Sequence, residues 1–209
     1  ELFAAMGQVA QLLGRNDDAR YNFTRALHWD PQNARYQAYM ADFDRSVGNY
    51  QSAEESLTTA IGLDPELFEV YHIRGLLRHD LGRYEEALRD FDQAISLDPR
   101  RAEAYRSRAK TYLELGQNER AFQDLDQAIA MEPGRAEGHL ARGEANLALD
   151  RYEAAVIDFN EAIKLDPSSW VSRSYLGEAN IKLGRPADAL EPLLGSLRIT
   201  DDEKASQTW

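Results

Sequence analysis

The side chains able to do acid–base or metal chemistry are few, and their spacing does not suit it. The chain has four histidines, His28, His72, His79 and His139. A helical metal pair needs two ligands one turn apart, four residues on; His72 and His79 are seven apart. Cysteine is absent, which removes thiol nucleophiles, disulfides and cysteine metal sites, and fits a reducing or an oxidising compartment equally. The 36 carboxylates are abundant, but most recur at one fixed period as caps and surface positions rather than converging. The glycines follow the same period, so none forms a phosphate-cradling loop. The expectation is a non-catalytic protein with no cofactor and no metal.

One other pattern carries chemistry. Arg74, Arg108 and Arg142 are each followed 16 residues later by Asp90, Asp124 and Asp158. A guanidinium opposite a carboxylate makes a bidentate, charge-assisted bridge. The pattern predicts that each pair ties two helices together, a structural role rather than a ligand site.

Five acidic-Pro pairs reveal the elements that hold these residues. Asp30-Pro31, Asp64-Pro65, Asp98-Pro99, Glu132-Pro133 and Asp166-Pro167 lie 34 residues apart. A constant period of that size marks a stacked repeat array with one quasi-linear core. Six units follow, at 1–33, 34–67, 68–101, 102–135, 136–169 and 170–203, with 204–209 read as part of a truncated capping helix. Numbering each unit so that the Pro is position 32, position 20 is always Ala, position 8 is Gly or Ala, and position 24 alternates Phe and Leu. Small residues let helix backbones approach, and large ones fill the space beside them. The first helix of a unit spans about positions 2 to 14. It ends at Gly14, Gly48, Gly82, Gly116 and Gly184, with Asp150 in the fifth unit. The second spans about positions 18 to 30 and is stopped by the Pro. The sixth unit is irregular. Pro192 falls inside its second helix, where a bend is expected, and Thr200-Asp201 replaces the acidic-Pro pair and is expected to cap a further helix near Asp202.

These residues, above all the third unit YHIRGLLRHDLGRYEEALRDFDQAISLDP, resemble the tetratricopeptide repeat family over nearly the whole chain. The resemblance implies an all-α solenoid of antiparallel helix pairs stacked into a right-handed superhelix. It also implies that the first helices line a concave groove that binds a peptide or protein segment. Positions 2, 5, 9, 12 and 13 face that groove by the same resemblance. Among them Arg45, Arg106 and Lys110 form a central cation group, which His72 and His79 join at low pH. Arg106 and Lys110 are four apart and share a helix face. An acidic peptide or a free C-terminal carboxylate suits them. An apolar strip of Leu113, Leu140, Leu147 and Ile181 is expected beside them, with no core of the chain's own to fill. The carboxylate clamp of the family's chaperone-binding members is not reproduced: Arg106 and Lys110 are followed by Ala141, Val171 and Tyr175.

Composition bounds the partner. The chain is 43% apolar and 29% charged, as folded soluble chains are, and no apolar run reaches the ~20 residues of a membrane span. A net charge of -12 repels phosphate backbones, so nucleic acid is not an expected partner. Arg outnumbers Lys twenty to four, a bias that leans toward a high-GC bacterial source, cytoplasmic or periplasmic. Residue 1 falls one position into a repeat, so the natural chain is expected to start earlier. The leading expectation is a non-catalytic protein-interaction scaffold. The alternatives are an array that self-associates through its terminal repeats, with Trp170 and Trp209 contributing, or the recruitment module of a larger enzyme or transport machine.

Overall fold

The computed structural model describes the backbone of residues 1–206 and the side chains of residues 1–199. Among the described residues there are twelve helices and no strand. They are α1 (Leu2–Leu12), α2 (Asn16–Trp29), α3 (Ala34–Ser46), α4 (Tyr50–Leu63), α5 (Phe68–Asp80) and α6 (Tyr84–Leu97), then α7 (Ala102–Glu114), α8 (Asn118–Met131), α9 (Ala136–Ala148), α10 (Tyr152–Leu165), α11 (Trp170–Lys182) and α12 (Pro186–Ser206). The chain divides into two compact units, Glu1–Thr111 and Tyr112 onward, with the division inside α7. In the first, α1 packs on α2, α3 on α4 and α5 on α6, while α2 and α4 each pack on the helix that follows. In the second, α9 packs on α10 and α11 on α12, while α8 and α10 each pack on the next helix.

The helix ends follow from backbone chemistry. Five first helices end at a glycine with φ between 67° and 81°, a region that costs other residues steric strain. The N–H two residues past the last turn closes the end, as when Arg15 donates to Ala10 O at 2.9 Å and Arg83 to Arg78 O at 2.8 Å. Asp150 takes this place in the fifth repeat at φ 57°, and its carboxylate accepts from the Tyr152 hydroxyl. Second helices end where the acidic residue before each Pro turns out of the helical region, as at Asp64 with φ -145°.

Position 8 and position 24 are matched in size in the first, second, third and fifth helix pairs. A Cβ added to Gly7, Gly75 or Gly143 would come within 2.6 Å of Phe23, Phe91 or Phe159 respectively. Where position 8 is Ala41 or Ala109, position 24 is the smaller Leu57 or Leu125, and all four are buried. The three phenylalanines are fully buried. Each contributes roughly 2–3 kcal/mol through the apolar surface it removes from water.

Two of the expected arginine–aspartate bridges, Arg74 with Asp90 and Arg142 with Asp158, form. Arg74 donates to both carboxylate oxygens of Asp90, at 2.7 to 3.1 Å, and Arg142 does the same to Asp158. Arg142 also reaches back to Asp126 of the preceding repeat at 2.7 Å, and Arg108 reaches back to Asp92 at 2.6 Å. Arg142 therefore pins three helices, α8, α9 and α10, where the spacing alone predicts two. Its guanidinium is held well above the ordinary range by the hydrogen bond to Asp158, against the cost of burial.

At the far end, Thr200 and Asp201 do not start a new helix. α12 runs through them to Ser206, because no Pro stands there to remove a donor, and Pro192 lies within it without ending it. Trp209 and the end of the segment 204–209 lie outside the described residues.

Candidate functional site

In the first compact unit, the polar positions of the first helices are wired to one another. Arg45 on α3 donates to Asp42 one turn away at 2.9 Å and to Asp80 on α5 at 2.7 Å. Gln11 on α1 donates to Asp42 at 3.2 Å. Arg45 is thus spent on a link between neighbouring repeats. Burial opposes its charge, but the two carboxylates outweigh burial and hold its pKa above the ordinary value.

His72 and His79 also do something other than supply charge. His72 Nε2 lies 3.0 Å from Ser107 Oγ, and His79 Nδ1 lies 3.0 Å from Thr111 Oγ1, so two α5 imidazoles meet two α7 hydroxyls one turn apart. Thr111 is fully buried and donates to Ser107 O at 3.1 Å, which leaves its oxygen to accept from His79. His72 stacks on Phe68 with ring centroids 5.5 Å apart and tilts against Phe91. Burial pushes its pKa below the ordinary histidine value, despite the opposing fields of Glu103 and Asp42. The expectation that it charges readily at low pH is corrected: a ring enclosed by two phenylalanines resists the proton.

These contacts fix α7 against α5 and determine what α7 presents. Arg106 is half-buried, and Lys110, one turn on, is exposed. Among the described residues the Lys110 ammonium has no ion-pair partner, although the chain carries a net charge of -12. A cleft of about 590 Å³ opens beside α1 and α3, lined by Ala4, Gln8, Arg35, Tyr36, Tyr39 and Leu67 among others. Gln8 and Arg35 are groove positions in the sequence pattern. The cleft itself has no signal there, because it depends on the small side chains of Ala4 and Ala5 facing two tyrosines.

In the second compact unit the apolar strip resolves into two kinds of residue. Leu140 and Leu147 on α9 pack against the cluster of Ala155, Phe159, Leu176 and Ala179. They do have a core of the chain's own to fill, contrary to the expectation from their positions. Ile181 on α11 is 53% exposed, and Leu113 is half-buried. Tyr175, which the pattern gave no reason to single out, stacks on Phe159 at 5.5 Å and 14°. The Glu144 field, burial and the Glu178 field, in that order, push its phenol pKa up.

Known proteins show what this arrangement is similar to. Residues 75–116 match the TPR repeat model and residues 106–170 match the tetratricopeptide repeat model. No curated protein sequence matches the chain. A thermophilic TPR protein from Thermus thermophilus superposes with a TM-score of 0.79 at 25% identity, covering 86% of this chain and 97% of that one. The pilF protein of Pseudomonas aeruginosa gives 0.71 at 16% identity, covering 98% and 96%. YrrB, a TPR protein with an unusual peptide-binding site, gives 0.55 at 20% identity, covering 86% and 93%. The last two likenesses establish the fold alone. The two family-model matches together run from residue 75 to residue 170, and the helix pairs have the fold of tetratricopeptide repeat proteins, an all-α solenoid. Repeats of this family are in general protein-interaction scaffolds. Among the described residues no helix is long and apolar enough to cross a membrane.

Proposed function

We propose that the chain is a non-catalytic scaffold that captures a segment of another protein on the first-helix face of its repeats. Acidic side chains or a C-terminal carboxylate of that segment are read by Arg106 and Lys110. The observation that carries this reading is Lys110, an exposed cation with no ion-pair partner among the described residues, on a helix face held in register by His72 and His79. An exposed ammonium keeps its hydration until an anion arrives, so it contributes more to recruitment and orientation than to raw affinity.

Affinity capture from the source lysate tests the reading. Wild type is compared with a folded Arg106→Glu, Lys110→Glu variant, helicity being checked by circular dichroism. A partner held by wild type and lost by the variant supports it. A partner held equally by both contradicts it and moves recognition away from α7.

A further inference from the structure

Of the six repeats, the first alone has alanine at both position 5 and position 6, Ala4 and Ala5. The same two places hold Ala38 with Tyr39, His72 with Ile73, and Arg106 with Ser107 in the repeats that follow. The cleft of about 590 Å³ opens where these two small residues of α1 meet Tyr36 and Tyr39 of α3. Leu63 and Leu67, at the turn between α4 and α5, also line it and belong to a buried cluster, so that wall is fixed.

Tyr36 is 9% exposed, its ring held in the cluster of Ala4 and Ala26. Its hydroxyl has no hydrogen-bond partner among the described residues. Nor is that oxygen one of the enclosed polar atoms, so it opens to the cleft that Tyr36 lines. A phenol buried this deeply ordinarily finds a partner within its own fold. Half-buried Tyr39, on the same helix, also has no hydroxyl partner among the described residues. The rim decides the charge of a guest. Arg35 lies 3.9 Å from Glu69, and Asp64 Oδ1 accepts the Glu66 N–H at 3.0 Å. Glu1 adds a further carboxylate, so an anionic guest meets repulsion. A cation would give up its hydration among alanine and leucine walls for carboxylates that remain solvated on the rim. A neutral ring bearing one hydrogen-bonding group suits the walls and the phenols together.

We propose that this cleft is a pocket for a tyrosine side chain of the bound segment, its hydroxyl paired with that of Tyr36. The inference rests on the reading that the first-helix face captures a protein segment, and it adds a neutral anchor to the anionic one on α7. Ring contact supplies affinity. The hydroxyl pair supplies selectivity, because a site built to hydrogen-bond a hydroxyl disfavours the analogue that lacks it.

Titration of the 209-residue chain with N-acetyltyrosinamide, followed by amide proton–nitrogen correlation spectra, tests this. Saturable shifts are expected at Ala4, Ala5, Gln8 and Tyr39. N-acetylphenylalaninamide should bind roughly fivefold more weakly, the worth of one hydrogen bond. In Tyr36→Phe, which keeps the ring, the two probes should bind alike. Ala5→Trp fills the cleft from an exposed helix position and should abolish binding of both while helicity is retained. The Arg106→Glu, Lys110→Glu variant should bind the probes as wild type does. The pocket is thereby scored apart from the α7 reading: probe binding alongside lysate capture that ignores the α7 cations would refute that reading and leave the pocket standing. The proposal is overturned by the absence of a saturable shift, or by shifts confined to other helices. It is equally overturned by tighter binding of N-acetylargininamide, or by a preference for tyrosine that persists in Tyr36→Phe.

Discussion

At the scale of single residues, the ion pairs are bracing. Asp158 is almost wholly buried and is satisfied by Arg142 and by Asn146 at 2.9 Å. Removing one partner of a buried pair strands a charge, whereas replacing both with apolar groups does not. Arg142→Met should therefore destabilise by about 3 kcal/mol in urea unfolding, and Asp158→Leu on top of it should recover more than half of that. Equal losses for the single and double variants would mean the carboxylate is not stranded. His72 makes a second residue-scale expectation. Its folded-state pKa is lowered by burial, so the unfolded chain takes up its proton first as pH falls. The stability this ring provides is intact above about pH 6.5 and drains away below it. The urea midpoint should fall between pH 7 and pH 5.5, and His72→Gln should flatten that slope. An unchanged slope would place the ring in contact with water.

At the scale of elements, the second and third helix pairs are matched sets of volumes. Gly75 stands against Phe91 where Ala41 stands against Leu57. Gly75→Ala should cost about 2 kcal/mol by overpacking, and Phe91→Leu about 1 kcal/mol by the space it leaves. Together they recreate the second repeat's pairing, so the double variant should be more stable than the sum of the single losses. Strict additivity in thermal or urea denaturation would refute the match. Much of this level was legible in the sequence, because it is periodic. The acidic-Pro pairs, the terminal glycines and the alternation at position 24 each encode a local rule about φ, a missing donor or a side-chain volume. The site was less legible, because it depends on which partner a polar group chooses across a helix joint. Arg45 reads as a groove cation until Asp80 of the next repeat is seen to neutralise it. His72 and His79 read as a pH-dependent pair until Ser107 and Thr111 are seen to hold them. A signal existed: His72 to Ser107 and Arg45 to Asp80 both span 35 residues, one period plus one, the offset at which first helices of successive repeats meet. Leu140 and Leu147 misled for a different reason. A groove position on a repeat helix is shallow, and a leucine there reaches the core of its own pair.

At the scale of the whole molecule, the proposed function rests on where an acidic chain keeps an exposed positive charge. The described ion pairs absorb most arginines into the scaffold. Arg74, Arg78, Arg45, Arg108 and Arg142 all hold carboxylates. Lys110 stands apart from that network on α7. The central claim is that this face recognises an anionic protein segment, and panning a random-peptide display library on the folded chain tests it most directly. The account expects enriched peptides to carry acidic residues or to depend on a C-terminal carboxylate. It also expects them to lose binding to the Arg106→Glu, Lys110→Glu variant. No enriched sequence, or enriched peptides that bind wild type and variant equally well, would contradict it.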